Sequence, residues 1–357
     1  MKFIRLLILL SIVYFSGCSE KFDINEFSDK SGSGNIKGDT VYIPLSPNWT
    51  GFSNPQDIYI GNEPFIYVCD TDNNRIVMMN LAGQVLGTRY LEKPLALAQD
   101  YALNLIVAAH DTSTFVDGKP IAALFKIDMV AGGHNIQTAP LIRIFYKTSY
   151  DLSFKGKYTG ISVFFDNSYY VSRTGPNNTS LTDKDNSVLI FNVKKYPDGT
   201  KKDTLIGQIP NLEAEGTGLL TANQISSMTS FKRKNIDFIM TLSGNTSFKT
   251  QWLYYNYSGE TPGYENRLFP SEKGMMKINK FSQPEAVTVD NSGNIFIADA
   301  GKDSVFKFNP FGDEMQSFGG ASVFNKPSGV AFFDKVLYVA DAGNNRILRF
   351  VLSTDIQ

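Results

Sequence analysis

Cysteine, histidine and tryptophan each occur only twice in 357 residues, and each scarcity removes a class of protein. Two cysteines cannot frame a disulfide scaffold, which relies on several bridges. Two histidines, His110 and His134, cannot supply the three imidazoles of a common catalytic zinc site. Charge of one sign is also lacking. The 34 basic residues stand against 35 acidic ones, a net charge of −1, so there is no general electrostatic pull toward nucleic acid. After residue 15 no apolar run approaches the length of a bilayer-spanning helix. No long stretch carries apolar residues at helical spacing, and no glycine-rich phosphate loop or nucleophile elbow stands out. What fills the chain instead is short alternation, as in TVYIPL, VLIFNV, AVTVD and SVFKFN, separated by turn residues. That period of two predicts strands. The 27 Phe and 17 Tyr residues suit pleated, half-buried surfaces.

The first residues are of another kind. Lys2 and Arg5 precede the apolar stretch LLILLSIVYF at 6–15, which is short for a permanent span and suited to a signal-peptide core. The stretch ends in Phe15-Ser16-Gly17-Cys18, which resembles the lipobox of bacterial lipoproteins, with Phe15 in place of the usual Leu. That resemblance implies cleavage after residue 17, acylation of Cys18 and a lipid-anchored protein of the cell envelope. Its place would be the outer membrane, on the periplasmic side or at the surface. CSEKFD, acidic soon after Cys18, resembles surface-export signals of Bacteroidetes-type lipoproteins. More than one acyl chain gives stable anchoring. Residues 18–38 are polar and Gly/Ser-containing and read as a tether. The only other cysteine, Cys69, sits among apolar residues as a small hydrophobe. Without Lys2 and Arg5, 32 basic and 35 acidic residues remain.

From residue 39 to 357 the chain repeats itself. YVCDTDNNRIVMM at 67–79, FIADAGKDSVFKF at 296–308 and YVADAGNNRILRF at 338–350 share an apolar run, an Asp, a polar turn and a second apolar run. Self-similarity at this period points to a propeller of four-stranded blades. These segments, each opened by a Pro fourteen or fifteen residues before the Asp, resemble NHL repeats. The resemblance implies an all-β, six-bladed β-propeller of four-stranded antiparallel blades. Degenerate blades begin at Lys93, Tyr158 and near Gln224, with His110, Ser172-Arg173 and Ser243 in or near the place of the Asp. The last repeat ends near Leu352 with no sequence left for a fourth strand. The segment 40–45 is therefore expected to close the ring by pairing with that blade, since a propeller that does not close leaves an exposed edge.

In propellers generally, the turn after the second strand lies on the face that carries the ligand site. Asp70, His110, Arg173, Ser243, Asp299 and Asp341 would then ring the channel mouth. For the three Asp residues a turn-holding role competes, the carboxylate accepting N–H groups two or three residues on. His110 and Arg173 break the pattern and suggest an anionic or polar ligand, although Arg173 could instead pair with Asp183 or Asp185. His134, in AGGHN, reads as a solvent-facing turn. An EF-hand reading of Asp70, Asp72 and Asn74 fails, because Arg75 and Leu81 stand where Gly and Glu are needed. A calcium ion held between blades stays open; no other cofactor and no metal-ligand set is expected. WLYYNY at 252–257 offers either a stacking surface for a ligand or sheet packing. The lysine clusters 194–195, 201–202 and 232–234 lie beside turn signals, as solvated hairpin tips do. Related six-bladed propellers include lyases, lactonases and sugar dehydrogenases. With so little histidine and no catalytic motif, the expected function is binding of a glycan, a peptide or an envelope protein without catalysis. The alternative is an enzyme with its site at the channel mouth.

Overall fold

The computed structural model describes residues 40–116, 118–146, 155–180, 182–231, 233–258 and 261–356. The expected signal segment, Cys18 and the tether lie outside them. The described chain forms six four-stranded antiparallel sheets. Strand β1 (Tyr42–Pro44) is followed by blade 1, made of β2 (Pro55–Ile60), β3 (Ile66–Asp70), β4 (Arg75–Met79) and β5 (Val85–Tyr90). Blade 2 holds β6 (Glu92–Gln99), β7 (Asn104–Val116), β8 (Lys119–Asp128) and β9 (Leu141–Tyr146). Blade 3 holds β10 (Lys157–Val163), β11 (Tyr169–Thr174), β12 (Ser187–Lys195) and β13 (Lys201–Gln208). Blade 4 is β14 (Ile225–Ser230), β15 (Phe238–Leu242), β16 (Thr250–Asn256) and β17 (Gly263–Asn266). Blade 5 is β18 (Pro284–Val289), β19 (Ile295–Asp299), β20 (Ser304–Phe308) and β21 (Glu314–Gly319). Blade 6 has β22 (Pro327–Phe333), β23 (Val336–Asp341) and β24 (Arg346–Leu352), and takes β1 as its fourth strand.

The ring is closed. The first strands of successive blades pack neighbour to neighbour, from β2 through β6, β10, β14 and β18 to β22 and back to β2. β1 covers the outer edge of β24 in the register Tyr42↔Leu352, Ile43↔Val351 and Pro44↔Phe350, as the missing fourth strand predicts.

Each second strand lies between blades and is covered on both faces, so β3, β15, β19 and β11 are buried along their whole length. This is why β3, β15 and β19 run mainly apolar without alternation, whereas β11 buries Ser172, Arg173 and Thr174 as well. Outer strands face water on one side, and β5 and β21 carry mixed, partly exposed residues. The apolar cores fill the wedges between blades. Phe296 stacks on Phe332 of the next blade at 5.2 Å, and Tyr42 lies over Phe318 at 4.8 Å. Each such pair adds about 0.5–1.5 kcal/mol to the burial itself. Cys69 is buried as a free thiol, and burial raises its pKa well above the usual value. Of WLYYNY, Trp252 stacks on Phe231 and Tyr255 packs on Tyr264. That segment is mainly sheet packing, and only Tyr257, 70% exposed, stands out from it.

One feature of the first strands positions the site. All six carry a register shift near their start, between Pro55 and Asp57, Glu92 and Ala96, Tyr158 and Gly160, Ile225 and Ser227, Pro284 and Ala286, and Pro327 and Gly329. A bulge bends a strand and re-aims its side chains. The residue after the shift meets the next blade. A Cβ on Gly160 would lie 2.7 Å from the Met228 nitrogen, and one on Gly329 would lie 3.0 Å from Asp57 Cα. Small residues therefore occupy this position in five blades: Ala96, Gly160, Ser227, Ala286 and Gly329. Blade 1 has Asp57.

Candidate ligand site at the channel mouth

The bulged residues point into the channel mouth, where several hydroxyls latch one blade to the next. Thr159 Oγ1 donates to the Ile225 carbonyl at 2.5 Å and Ser226 Oγ to that of Pro284 at 2.5 Å. Ser328 Oγ donates to the Pro55 carbonyl at 2.6 Å across the seam where the ring closes. At the seam between blades 1 and 2 the latch comes from Thr71 Oγ1, 2.6 Å from the Pro94 carbonyl. In blade 5 the equivalent position is Glu285, whose Oε1 accepts Gln283 Nε2 at 2.6 Å.

These side chains enclose a cavity of about 420 Å³ lined by residues of all six blades. Its charged groups are Asp57, Glu285 and Lys157, and the rest is largely hydroxyl and amide, including Gln56, Ser227 and Gln224. Asp57 Oδ2 accepts the Leu97 N–H of blade 2 at 2.9 Å, and Oδ1 accepts its neighbour Ile58 N–H at 2.9 Å. The surrounding blades enclose the carboxyl while leaving it a partial opening onto the channel. That desolvation, only partly offset by the two N–H donors, pushes its pKa up to about 7. Burial also raises Glu285, while the positive charge of Lys157 works against the rise. Two carboxyls whose pKa values burial raises, with one lysine, face a polar mouth.

The residues singled out from the sequence are placed differently. Of the six, only Ser243 lines this cavity. Asp70, Asp299 and Asp341 have no exposed surface. Their carboxylates do hold turns, but not chiefly through the N–H groups that follow. Asp70 accepts the Ser53 N–H at 2.7 Å, Asn73 Nδ2 at 2.9 Å and Arg75 Nε at 2.7 Å. Asp341 repeats the pattern with Asn325 N–H, Asn344 Nδ2 and Arg346 Nε. Asp299 accepts the N–H groups of Ser282 and Gln283, and only here a following one, Gly301, at 3.0 Å. The main donors thus lie 16 or 17 residues earlier, in the segment leading into each blade, so the repeated Asp pins the blade's start to its second turn.

Arg173 occupies the Asp position of blade 3, opposite Tyr158, and is 2% exposed. Its guanidinium donates to Asp183 Oδ1 at 2.6 Å, to the Lys184 carbonyl and to the Asp185 carbonyl. It anchors the loop whose first residues, Thr174 to Pro176, form part of the mouth's rim. In blade 2 the pairing of Ala96 with Ala108 gives Ala109 the Asp position and moves His110 one residue beyond it. His110 Nδ1 is buried with no hydrogen-bond partner among the described residues, and desolvation lowers its pKa. Leu242, paired with Ile225, takes that position in blade 4, which moves Ser243 one residue on. His134 stands partly exposed against Glu63, 2.9 Å from its carboxylate. Among the described residues no group of three or more His, Cys, Asp or Glu side chains is arranged to hold a metal ion. The Asp70, Asp299 and Asp341 carboxylates are already spent on N–H donors.

Sequence reasoning passed over Asp57 and Glu285. The signal available was positional: aligning the blade starts sets Asp57 against Gly, Ala or Ser in the other blades, and Glu285 against Gln56, Leu95, Thr159, Ser226 and Ser328.

Residues 324–350 match the model of the NHL repeat, the segment read from the sequence as the last repeat. No curated protein matches the chain. Among solved structures, a protein of unknown function from Bacteroides thetaiotaomicron shares 16% identity over 88% of this chain and 72% of its own, with a TM-score of 0.52. A gluconolactonase from Xanthomonas campestris shares 12% identity over 88% of this chain and 98% of its own, with a TM-score of 0.51. Likeness at these identities is likeness of fold.

Proposed function

We propose that the protein is a binding propeller of the cell envelope, anchored through acylated Cys18, and that it holds a polyhydroxylated, glycan-type ligand at the channel mouth without turning it over. The observation that carries this reading is the composition of the mouth. Hydroxyls, amides and two carboxyls from five blades, beside Leu95 of blade 2, converge on a cavity of about 420 Å³, a size and polarity suited to one or two sugar rings. Carboxyls accept from sugar hydroxyls, and Gln56, Gln224 and Gln283 both donate and accept. Arg173 supports the rim loop, so its part in binding is positional.

One observation favours a second, catalytic reading. A carboxyl titrating near neutrality is suited to general acid–base work, and Asp57 is such a group. The lactonase fold neighbour gives a substrate class with which to test it.

The experiment is calorimetric titration of the purified protein with a panel of neutral and acidic oligosaccharides, repeated with Gln224→Ala and Glu285→Gln. Each bound sugar is then incubated with protein and followed by NMR, together with aldonolactones. The binding reading expects one saturable site, weakened at least tenfold by both variants, and unchanged ligand. Lactone opening that is lost in Asp57→Asn would replace it with the catalytic reading. Absence of any saccharide binding would overturn the glycan assignment. Fractionation of cells carrying Cys18→Ala tests the anchor, and processed protein that stays in the membrane would refute it.

A further inference from the structure

A second cavity, of about 880 Å³, lies between the outer parts of blades 2 and 3 and shares no lining residue with the mouth. Its buried lining residues include the charged Asp100 and Lys126, and its apolar lining comes from half-buried Val193 and Ile144 and from Val130 and Ile142, 53% and 51% exposed. A concavity of this size with apolar lining and a few charged groups has the make-up of a small-molecule site.

The charges around it fall into two sets. The acids are engaged within the protein. Asp100 accepts the Ala102 and Asn104 N–H groups, Asp128 that of Ala131, and Asp166 that of Ser168. Asp203 takes Lys126, 9% exposed, at 2.6 Å and the Tyr169 hydroxyl at 3.0 Å. Arg143 is paired with Asp111. Lys195, Lys201 and Lys202 on the rim are exposed, and none of them forms an ion pair among the described residues. They are also set against one another, since Lys195 faces Lys201 and Lys194 faces Lys202 across the β12–β13 pair. Like charges directly opposite on a ladder destabilise it. An anion lodged beside them would turn that repulsion into attraction.

We propose that this groove binds a single-chain anionic amphiphile. The alkyl chain lies on Val130, Ile142, Ile144 and Val193, and the acidic head sits against Lys195 and Lys201. The competing explanation is that the lysines only guard the edge strand β13 against pairing with other chains.

The test is titration of the purified protein with dodecyl phosphate, dodecyl maltoside and inorganic phosphate, with the amphiphiles below their micelle concentrations. The expected result is one dodecyl phosphate per chain, bound at least tenfold more tightly than either of the others and more weakly as salt rises. Lys195→Glu and Ile142→Asn should each weaken it at least tenfold. Lys195→Glu separates binding from structure, because a carboxylate opposite Lys201 replaces a repulsive pair with an attractive one. The melting midpoint should then hold or rise while affinity falls. Equal affinity for the maltoside would overturn the acidic head, and equal affinity for inorganic phosphate would overturn the amphiphile. Undiminished binding in Lys195→Glu would leave the lysines as edge guards and overturn the site.

Discussion

Asp57→Asn isolates the cost of holding a carboxyl where the other blades place glycine, alanine or serine. In the folded protein desolvation pushes the Asp57 pKa up to about 7, whereas its ordinary value is 3.8. Between those values the folded state holds a proton that the unfolded state has released, so stability falls as pH rises through this window and levels off above it. The full difference corresponds to about 4 kcal/mol at 1.36 kcal/mol per pH unit. The carboxyl's opening onto the channel lowers the working figure to about 2–4 kcal/mol. Asparagine keeps the shape and one acceptor oxygen but cannot ionise. It loses one of the two N–H bonds, from Leu97 or Ile58, an offset of about 1 kcal/mol that is the same at every pH. The assay is urea unfolding of both proteins from about pH 4.5 to 8.5, read as the difference between them. Relative to Asp57→Asn, the parent protein should lose about 2–4 kcal/mol across this range, most of it between about pH 4.5 and 7. A difference that stays flat with pH would show that Asp57 is not desolvated as the geometry requires, and the acid–base reading would lose its only support.

Three further outcomes follow from the seams and turns. Asp341→Ala removes three hydrogen bonds and leaves the Arg346 guanidinium without its carboxylate. It should cost on the order of 3–5 kcal/mol by denaturant titration, against about 1–2 for a simple cap, and saccharide binding by the folded fraction should be kept. Ser328→Ala breaks the latch to the Pro55 carbonyl across the closing seam and should cost about 1 kcal/mol; a loss under a few tenths would mean that water replaces the hydroxyl. Deleting residues 40–44 removes β1 and bares the edge of β24. The truncated protein should melt lower and elute as aggregates, and monomeric elution at an unchanged melting temperature would contradict the closure.

The architecture was legible in the amino-acid sequence. In YVCDTDNNRIVMM, FIADAGKDSVFKF and YVADAGNNRILRF the apolar runs, the Asp and the turn residues are local and repeat at the blade's period. Six blades and the joining of 40–45 to the last of them could be read because strand alternation and turn chemistry act over a few neighbouring residues. The turn-holding role of Asp70, Asp299 and Asp341 was legible too, but not their partners. Ser53, Ser282 and Asn325 come within reach only when each blade's start folds back beside its second turn. The make-up of the candidate site at the channel mouth was not legible in the same way. Asp57 looks like any polar residue near the start of a strand, and only its bulge aims it across a seam at Leu97, where enclosure by neighbouring blades raises its pKa. Arg173 and His110 were conspicuous in the sequence because they broke a pattern. Burial and register then turned the first into a support for the rim and moved the second off the Asp position. A repeat fixes what every blade has in common, but a site at the axis depends on which side chains six separate strands bring to one point. That convergence is set by ring closure and bulge geometry, which no local stretch of sequence contains.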